Sequence, residues 1–116
     1  GVSVEDQENA DARIPDLLAT PAAVRWLSVE PMLEAVYLSG CDGLHWVVCG
    51  GESGPGARPM DTDWARSLRD QCRAKSIPFY MKQLGSVAAR SLRLSSRGGS
   101  DFWWFPPDLR VQEYPT

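Results

Sequence analysis

Three times in this chain, a run of strand-forming residues ends on a glutamate. The first run ends at Glu5, the second at Glu30 and the third at Glu52, so the endings lie 25 and 22 residues apart. Each interval leaves room for one strand and one crossover connection, which parallel strands require. Because parallel strands end at a common edge of the sheet, the three carboxylates are predicted to meet there, where α/β proteins bind their ligands.

Four segments rich in β-branched and aromatic residues predict strands at 2–4, 24–29, 44–49 and 77–81. Between the first two, apolar residues at helical spacing predict a helix. Pro15 cannot continue a helix without losing a hydrogen bond, so we expect a break near Arg13 and a short second turn over 15–19. The connection 32–42 has no clear pattern. A further helix is predicted over 63–75, capped by Asp61 or Thr62.

This alternation of strands and connections predicts an α/β fold with parallel pairing through right-handed crossovers. A full eight-stranded βα-barrel needs about 250 residues. We therefore predict a partial βα-barrel, the C-terminal half of one, in residues 1–85, with about four parallel strands. Residues 86–116 are predicted to be a mobile loop rich in arginine, serine and glycine and an irregular tail of aromatic residues and prolines. Both sheet edges would be open, ready for the missing N-terminal half or for a second chain.

The net charge of −3 conceals an uneven distribution of charges along the chain. Residues 64–97 contain eight basic residues against one acid, Asp70. Such a segment indicates a solvated basic helix face or, as the weaker alternative, a surface that contacts nucleic acid. No apolar run approaches the roughly 18 residues of a membrane span, and no signal sequence opens the chain, so a cytoplasmic protein is expected. The spacing of Cys41, Cys49 and Cys72 does not suit a metal site. Cys49 falls in a predicted strand and Cys72 on the apolar face of a predicted helix, so these two are expected to be buried thiols.

The first two glutamates each follow a serine by two residues, so that Ser28 and Glu30 share one face of their strand, as do Ser3 and Glu5. Two such carboxylates could chelate a metal, bind a substrate amine or divide acid and base roles. The alternative is structural: they accept hydrogen bonds from serine hydroxyls and loop amides and only close the top of the barrel.

The glycine-rich loop after the third strand is the most specific local signal, and it contains four candidate ligand-binding residues: Gly50, Gly51, Glu52 and Ser53. A loop between a buried strand and a helix can cradle an anion with its backbone amides. Because a glutamate within it would repel phosphate, a zwitterionic or hydroxyl-bearing ligand is favoured, with Glu52 accepting hydrogen bonds from an amine or a ribose. The alternative is a turn that only reverses the chain.

Three further polar residues, Arg58, Lys82 and Gln83, are candidates for ligand binding near the same edge. Arg58 could approach an anionic substrate. Lys82 could bind phosphate, or it could pair with Glu30 or Glu52, in which case its role is structural. His45, the single histidine, lies at the opposite end of its strand and is expected to be structural.

Several of these segments together resemble the phage Gp-thirty-seven/Gp-sixty-eight family, which has no established activity. The resemblance rests on Val4-Glu5, Leu27-Ser28-Val29-Glu30-Pro31, the block from Val48 to Met60, and Phe79-Tyr80-Met81-Lys82-Gln83. It implies a radical S-adenosylmethionine protein in which an upstream cysteine triplet binds a [4Fe–4S] cluster. Glu5, Glu30, Glu52 and Lys82 would line the barrel mouth, while S-adenosylmethionine and the cluster would belong to the full-length parent. The alternative is a non-catalytic remnant or binding module that pairs with another chain or an anionic partner.

Overall fold

The computed structural model describes residues 1–88, 102 and 105–115. Its regular elements are, in chain order, β1 (Val2–Val4), α1 (Gln7–Ala19), β2 (Trp26–Val29), β3 (Trp46–Gly50), α2 (Thr62–Ala74), β4 (Phe79–Gln83) and a 3₁₀ turn (Pro107–Leu109). Strands and helices alternate as the hydrophobic pattern predicts, except that the connection between β2 and β3 contains no helix.

The four strands form one parallel sheet in the order β1-β2-β3-β4, which confirms the predicted α/β class. Alternate residues along the strands point to opposite faces. On the face that packs in the same core as the helices, Val4, Val29, Cys49 and Met81 form one row and are all fully buried. Trp26, Trp46 and Tyr80 lie on the opposite face of the sheet and are only half-buried.

The first helix is continuous through Pro15, so the predicted break near Arg13 is wrong. A proline within a helix leaves the carbonyl four residues earlier without its usual N–H partner, at a cost of about 3 kcal/mol. Here both Pro15 and Asp11 are exposed, so water can reach that carbonyl. Buried Ala10, Ile14 and Leu17 anchor both halves of the helix to the core and offset the lost bond.

The connection from β2 to β3 takes the place that a crossover helix usually has in a parallel sheet. It is irregular, yet it buries five side chains in the common core: Met32, Val36, Leu38, Cys41 and Leu44. Gln71 on α2 fixes part of it, because its side-chain amide accepts from the N–H of Leu38 at 2.7 Å and donates to the carbonyl of Val36 at 3.0 Å. The connection therefore covers the sheet without regular structure.

The second helix agrees with the prediction, with Asp61 as its cap: the Asp61 carboxylate accepts from the N–H of Asp63 at 2.8 Å. Leu68 and Cys72 on its inward face are fully buried. The last three strands each begin two residues later than predicted, at 26, 46 and 79. For example, Val24 lies outside β2 and is exposed, because the pairing with neighbouring strands sets where a strand begins.

The tail lies along the outer edge of β4, as an irregular tail across an apolar surface was expected to do. Phe105 and Leu109 are buried, and the N–H of Met81 donates to the carbonyl of Val111 at 2.8 Å. The N–H of Glu113 in turn donates to the carbonyl of Phe79 at 2.9 Å. The prediction that both edges of the sheet are open is therefore wrong for β4.

The segment after β4 begins with helical residues 86–88, where a loop was predicted. The remainder of the predicted mobile loop, together with Trp103 and Trp104, falls outside the described residues. Within the described part of the chain, no helix is long and apolar enough to cross a membrane.

Candidate functional site at the carboxyl ends of the strands

The parallel sheet brings the predicted polar residues to one edge, which we call the rim. Glu5, Glu30 and Glu52 follow β1, β2 and β3, while Lys82 and Gln83 end β4. The backbone links these strand ends directly, since the N–H of Leu33 donates to the carbonyl of Glu5 at 3.0 Å. The prediction that the carboxylates share one edge is confirmed.

Glu30 has two carboxylate oxygens in different situations. Its Oε1 accepts a hydrogen bond from Lys82 Nζ at 3.0 Å. Its Oε2 is buried and has no hydrogen-bond partner among the described residues. A buried acceptor without a donor costs about 1–3 kcal/mol, and the lysine, which is half exposed, offsets little of that cost because exposed ion pairs are weak.

Gly50 makes room for this carboxylate. A Cβ atom at position 50 would lie 2.5 Å from Glu30 Oε2, so that any side chain there would displace the carboxylate. Gly50 therefore serves the site by its small size and not by an unusual backbone conformation. The left-handed conformations in the same loop belong to Gly54 and Gly56, at φ 96° and 73°.

Glu52 is committed to Arg58 within its own loop. Its Oε1 accepts from the backbone N–H and Nε of Arg58 at 2.8 and 3.0 Å, and its Oε2 accepts from Nη2 at 2.7 Å. These side-chain and backbone hydrogen bonds lower the pKa of Glu52 to about 2. The pair closes the loop, so both residues predicted to contact a ligand instead contact each other.

The backbone of the glycine-rich loop is bound to the segment after β4. The N–H of Gly51 donates to the carbonyl of Gln83 at 3.2 Å, and the N–H of Gly54 donates to Ser86 Oγ at 2.8 Å. The side chain of Gln83 donates to the carbonyl of Gly51 and to Ser53 Oγ. These two amides are therefore used internally and do not cradle an anion.

Glu5 lies at the edge of the rim, held by the first helix. Its Oε2 accepts from Asn9 Nδ2 at 3.2 Å and lies 3.7 Å from Arg13 Nη1. The pKa of Arg58 is raised first by its hydrogen bonds to Glu52, and the charge of Glu5 adds to that effect. Glu5 therefore lies close enough to act electrostatically on the loop after β3.

The structure adds residues that the sequence did not single out. Ser86 is buried and clamps the glycine-rich loop from both sides, because its N–H donates to the carbonyl of Glu52 at 2.8 Å and its hydroxyl accepts from Gly54. Gly85 has a φ of 100° and lies against Gly51. In the sequence, Gly85 directly after the fourth strand is the feature from which this contact could have been predicted. His45 lies at the other end of the sheet, as expected, where its Nδ1 accepts from the N–H of Arg25.

The three cysteines are buried and free, as was predicted for Cys49 and Cys72. Burial raises the pKa of each thiol, that of Cys72 to about 12, so all three are protonated at neutral pH. Among residues 1–88, 102 and 105–115, no group of three or more histidine, cysteine, aspartate or glutamate side chains is arranged to hold a metal ion.

These observations define a class: a parallel α/β sheet with an acidic rim at the carboxyl ends of its strands. The sequence matches the family described as protein of unknown function (DUF5131) over residues 1–102, and the chain belongs to that family. No curated protein matches the sequence. No solved structure matches it either.

Proposed function

We propose that this chain is the C-terminal half of a βα-barrel enzyme, cytoplasmic and phage-associated, whose rim binds a ligand through Glu30. The reaction class, radical S-adenosylmethionine chemistry, comes from the sequence resemblance alone. The binding role is supported by one observation: the buried Oε2 of Glu30, which has no donor among the described residues and lies over Gly50.

The chemistry of Glu30 selects the ligand group. A carboxylate oxygen only accepts hydrogen bonds, so the missing partner is a donor, either an ammonium or a hydroxyl. Lys82 neutralises one oxygen of the same carboxylate and leaves the other for the ligand. A charge-assisted hydrogen bond from the ligand would satisfy the buried acceptor.

S-adenosylmethionine fits this donor requirement, because it carries an ammonium group and two ribose hydroxyls. Glu30 would accept a hydrogen bond from one of these donor groups. Gly50 would leave the space that the Glu30 carboxylate needs. With a [4Fe–4S] cluster, the bound cofactor supplies one-electron chemistry. The resemblance assigns the cysteines of that cluster to a segment upstream of this chain.

The other rim residues act as supports in this proposal. Glu52 and Arg58 hold the loop after β3, while Gln83 ties that loop to the end of β4. Lys82 balances the charge of Glu30, which agrees with the structural alternative for the lysine. Among the described residues, Glu30 is then the member of the set with a buried carboxylate oxygen that lacks a donor.

The alternative function, a non-catalytic module that pairs with another chain, is favoured by the outer edge of β1. This strand comes first in the order of the sheet, so among the described strands it pairs with β2 alone. Such an edge can accept a further strand. The partner would be the missing N-terminal half or a second chain.

Isothermal titration of the chain with S-adenosylmethionine tests the role of Glu30. We expect binding by the unaltered chain and at least about tenfold weaker binding by Glu30→Gln, since a hydrogen bond to a charged group contributes about 1.5–3 kcal/mol. Gly50→Ala should weaken binding similarly by displacing the carboxylate of Glu30. Glu8→Gln makes the same change of charge at an exposed site and should bind normally.

Unchanged binding by a folded Glu30→Gln variant, or no binding by the unaltered chain, would contradict the proposed site. The reaction class is tested separately. The full-length parent is reconstituted with iron and sulfide under anaerobic conditions and assayed for cleavage of S-adenosylmethionine. If cofactor binding depends on Glu30 but no cleavage occurs, the radical chemistry is wrong and the binding role stands.

A further inference from the structure

A second concave surface lies at the amino-terminal end of the sheet, opposite the rim. Two grooves, of about 330 and 180 Å³, meet there at Ser76 and Pro78. We call them together the furrow. The larger groove alone reaches the size of small-molecule sites, which begin at about 300 Å³.

Arg73 provides a cationic wall in the larger groove. It lies in the last turn of α2, and its guanidinium has no ion pair or hydrogen bond with any described residue. Arg69, one turn earlier, differs in this respect: it pairs with Asp70 and Asp108 and is largely buried. Arg73 is therefore the guanidinium of this groove that can bind an anion.

Tyr114 provides an aromatic wall in the same groove. Its side chain is 63% exposed, yet its ring is stacked on Trp46 with a centroid distance of 5.8 Å and an interplanar angle of 30°. The ring also lies edge-on to Tyr80, with a centroid distance of 5.3 Å. The ring is thus positioned before any ligand arrives, and its outer surface can stack on a planar group.

The remaining polar groups of the furrow do not oppose an anion strongly. His45 in the smaller groove accepts from the N–H of Arg25 through Nδ1, which leaves Nε2 as a donor in the neutral imidazole. Glu113 is the acid of the larger groove, and its Oε1 accepts from the N–H of Phe79 at 3.0 Å. Among the described residues that line the furrow, Glu113 is thus the one carboxylate, against the guanidinium groups of Arg69 and Arg73.

We infer that the furrow binds an anion carrying an aromatic ring, of the nucleoside monophosphate type, with its phosphate on Arg73 and its base on Tyr114. Guanidinium groups suit phosphate because of their planar array of donors, and bases stack on aromatic side chains regardless of their identity. The ligand is either a free nucleotide or a nucleotide of a single strand. This site is independent of the rim and of its ligand.

Titration calorimetry with adenosine monophosphate tests the inference, with adenosine and inorganic phosphate as the two half-ligands. We expect the nucleotide to bind more tightly than either half. Arg73→Gln should weaken nucleotide binding about tenfold or more, and Tyr114→Ala should weaken it about fivefold or more. Lys75→Gln, two residues from Arg73 but outside both grooves, is the matched control and should have little effect.

The location is checked by the indole N–H resonance of Trp46, which donates to the carbonyl of Glu113 at 2.8 Å and should shift on binding. A single-stranded oligonucleotide that binds more tightly than the mononucleotide would identify a strand as the source, and equal affinity would identify the free nucleotide. No binding at millimolar concentration, phosphate binding as tight as that of the nucleotide, or equal losses in Arg73→Gln and Lys75→Gln would overturn the inference.

Discussion

At the scale of single residues, the glutamates of the rim differ in whether their carboxylate oxygens already have hydrogen-bond partners. Glu52 is saturated by Arg58 with three hydrogen bonds, whereas Glu30 keeps one buried oxygen without a partner among the described residues. The two glutamates follow neighbouring parallel strands, so their difference arises from the side chains packed around each one and not from the strand end that carries it. Gly50 contributes to the difference, because the space that its side chain would fill is occupied by Glu30 Oε2.

The Glu52–Arg58 pair is predicted to stabilise the folded chain in a way that depends on pH. The folded chain favours the charged carboxylate, so the stabilisation is fully present above the ordinary pKa of 4.5 and is lost as the pH falls towards about 2. A carbon-13 titration of the Glu52 carboxyl should have its midpoint near the lower value.

Arg58→Gln removes the hydrogen bonds from the guanidinium and should move the midpoint of that titration back towards 4.5. Lys75→Gln, which does not contact Glu52, should leave it in place. A midpoint in the unaltered chain that is already ordinary, or one that does not move in Arg58→Gln, would show that the pair does not form in solution.

At the scale of elements, helix α1 and the connection after β2 show how burial outweighs local preference. Pro15 opposes the helix, and the connection lacks helical pattern, yet both segments bury apolar side chains against the same sheet. Tertiary packing supplies most of the stability of a helix in a protein. A local breaker is therefore tolerated where it faces water.

Pro15→Ala tests this account of α1. The substitution restores a backbone hydrogen bond without altering the buried face, so we expect it to stabilise the chain by about 1–3 kcal/mol in urea unfolding. Asp16→Ala, the next exposed position, should change stability by less than about 0.5 kcal/mol. A loss of stability in Pro15→Ala would mean that the proline is favourable where it lies.

At the scale of the whole molecule, the two edges of the sheet differ. The tail satisfies backbone groups along β4 and fixes Asp108 beside the α2 residues Arg66 and Arg69. Arg66 and Arg69, two of the eight basic residues in 64–97, thus hold the tail and do not form an anion-binding surface. The edge of β1 is the one that we propose for a partner.

Leu109→Ala tests the contribution of the tail. Leu109 is fully buried, so its truncation should lower the free energy of unfolding by about 2–5 kcal/mol. The amide of Met81, which donates to Val111, should also exchange its hydrogen faster. Val24→Ala at an exposed position should change stability by less than about 0.5 kcal/mol. Equal stability of Leu109→Ala and the unaltered chain would show that the tail is dispensable.

The sequence by itself determined the parallel sheet, the second helix with its cap at Asp61 or Thr62, and the shared edge of the three glutamates. These features follow from hydrophobic periodicity and from turn and cap residues, which act over a few positions. The continuity of α1 through Pro15 could not be predicted in this way, because it depends on which face of the helix meets the core.

Only the tertiary structure decided which acid is available at the rim and which sheet edge is covered. Glu30 and Glu52 look equivalent in the sequence, and their difference depends on Lys82, 52 residues beyond Glu30, and on the backbone path around Gly50. The tail reaches β4 through contacts more than 30 residues apart in sequence. Partners so distant are chosen by packing in three dimensions, which no local pattern in the chain encodes.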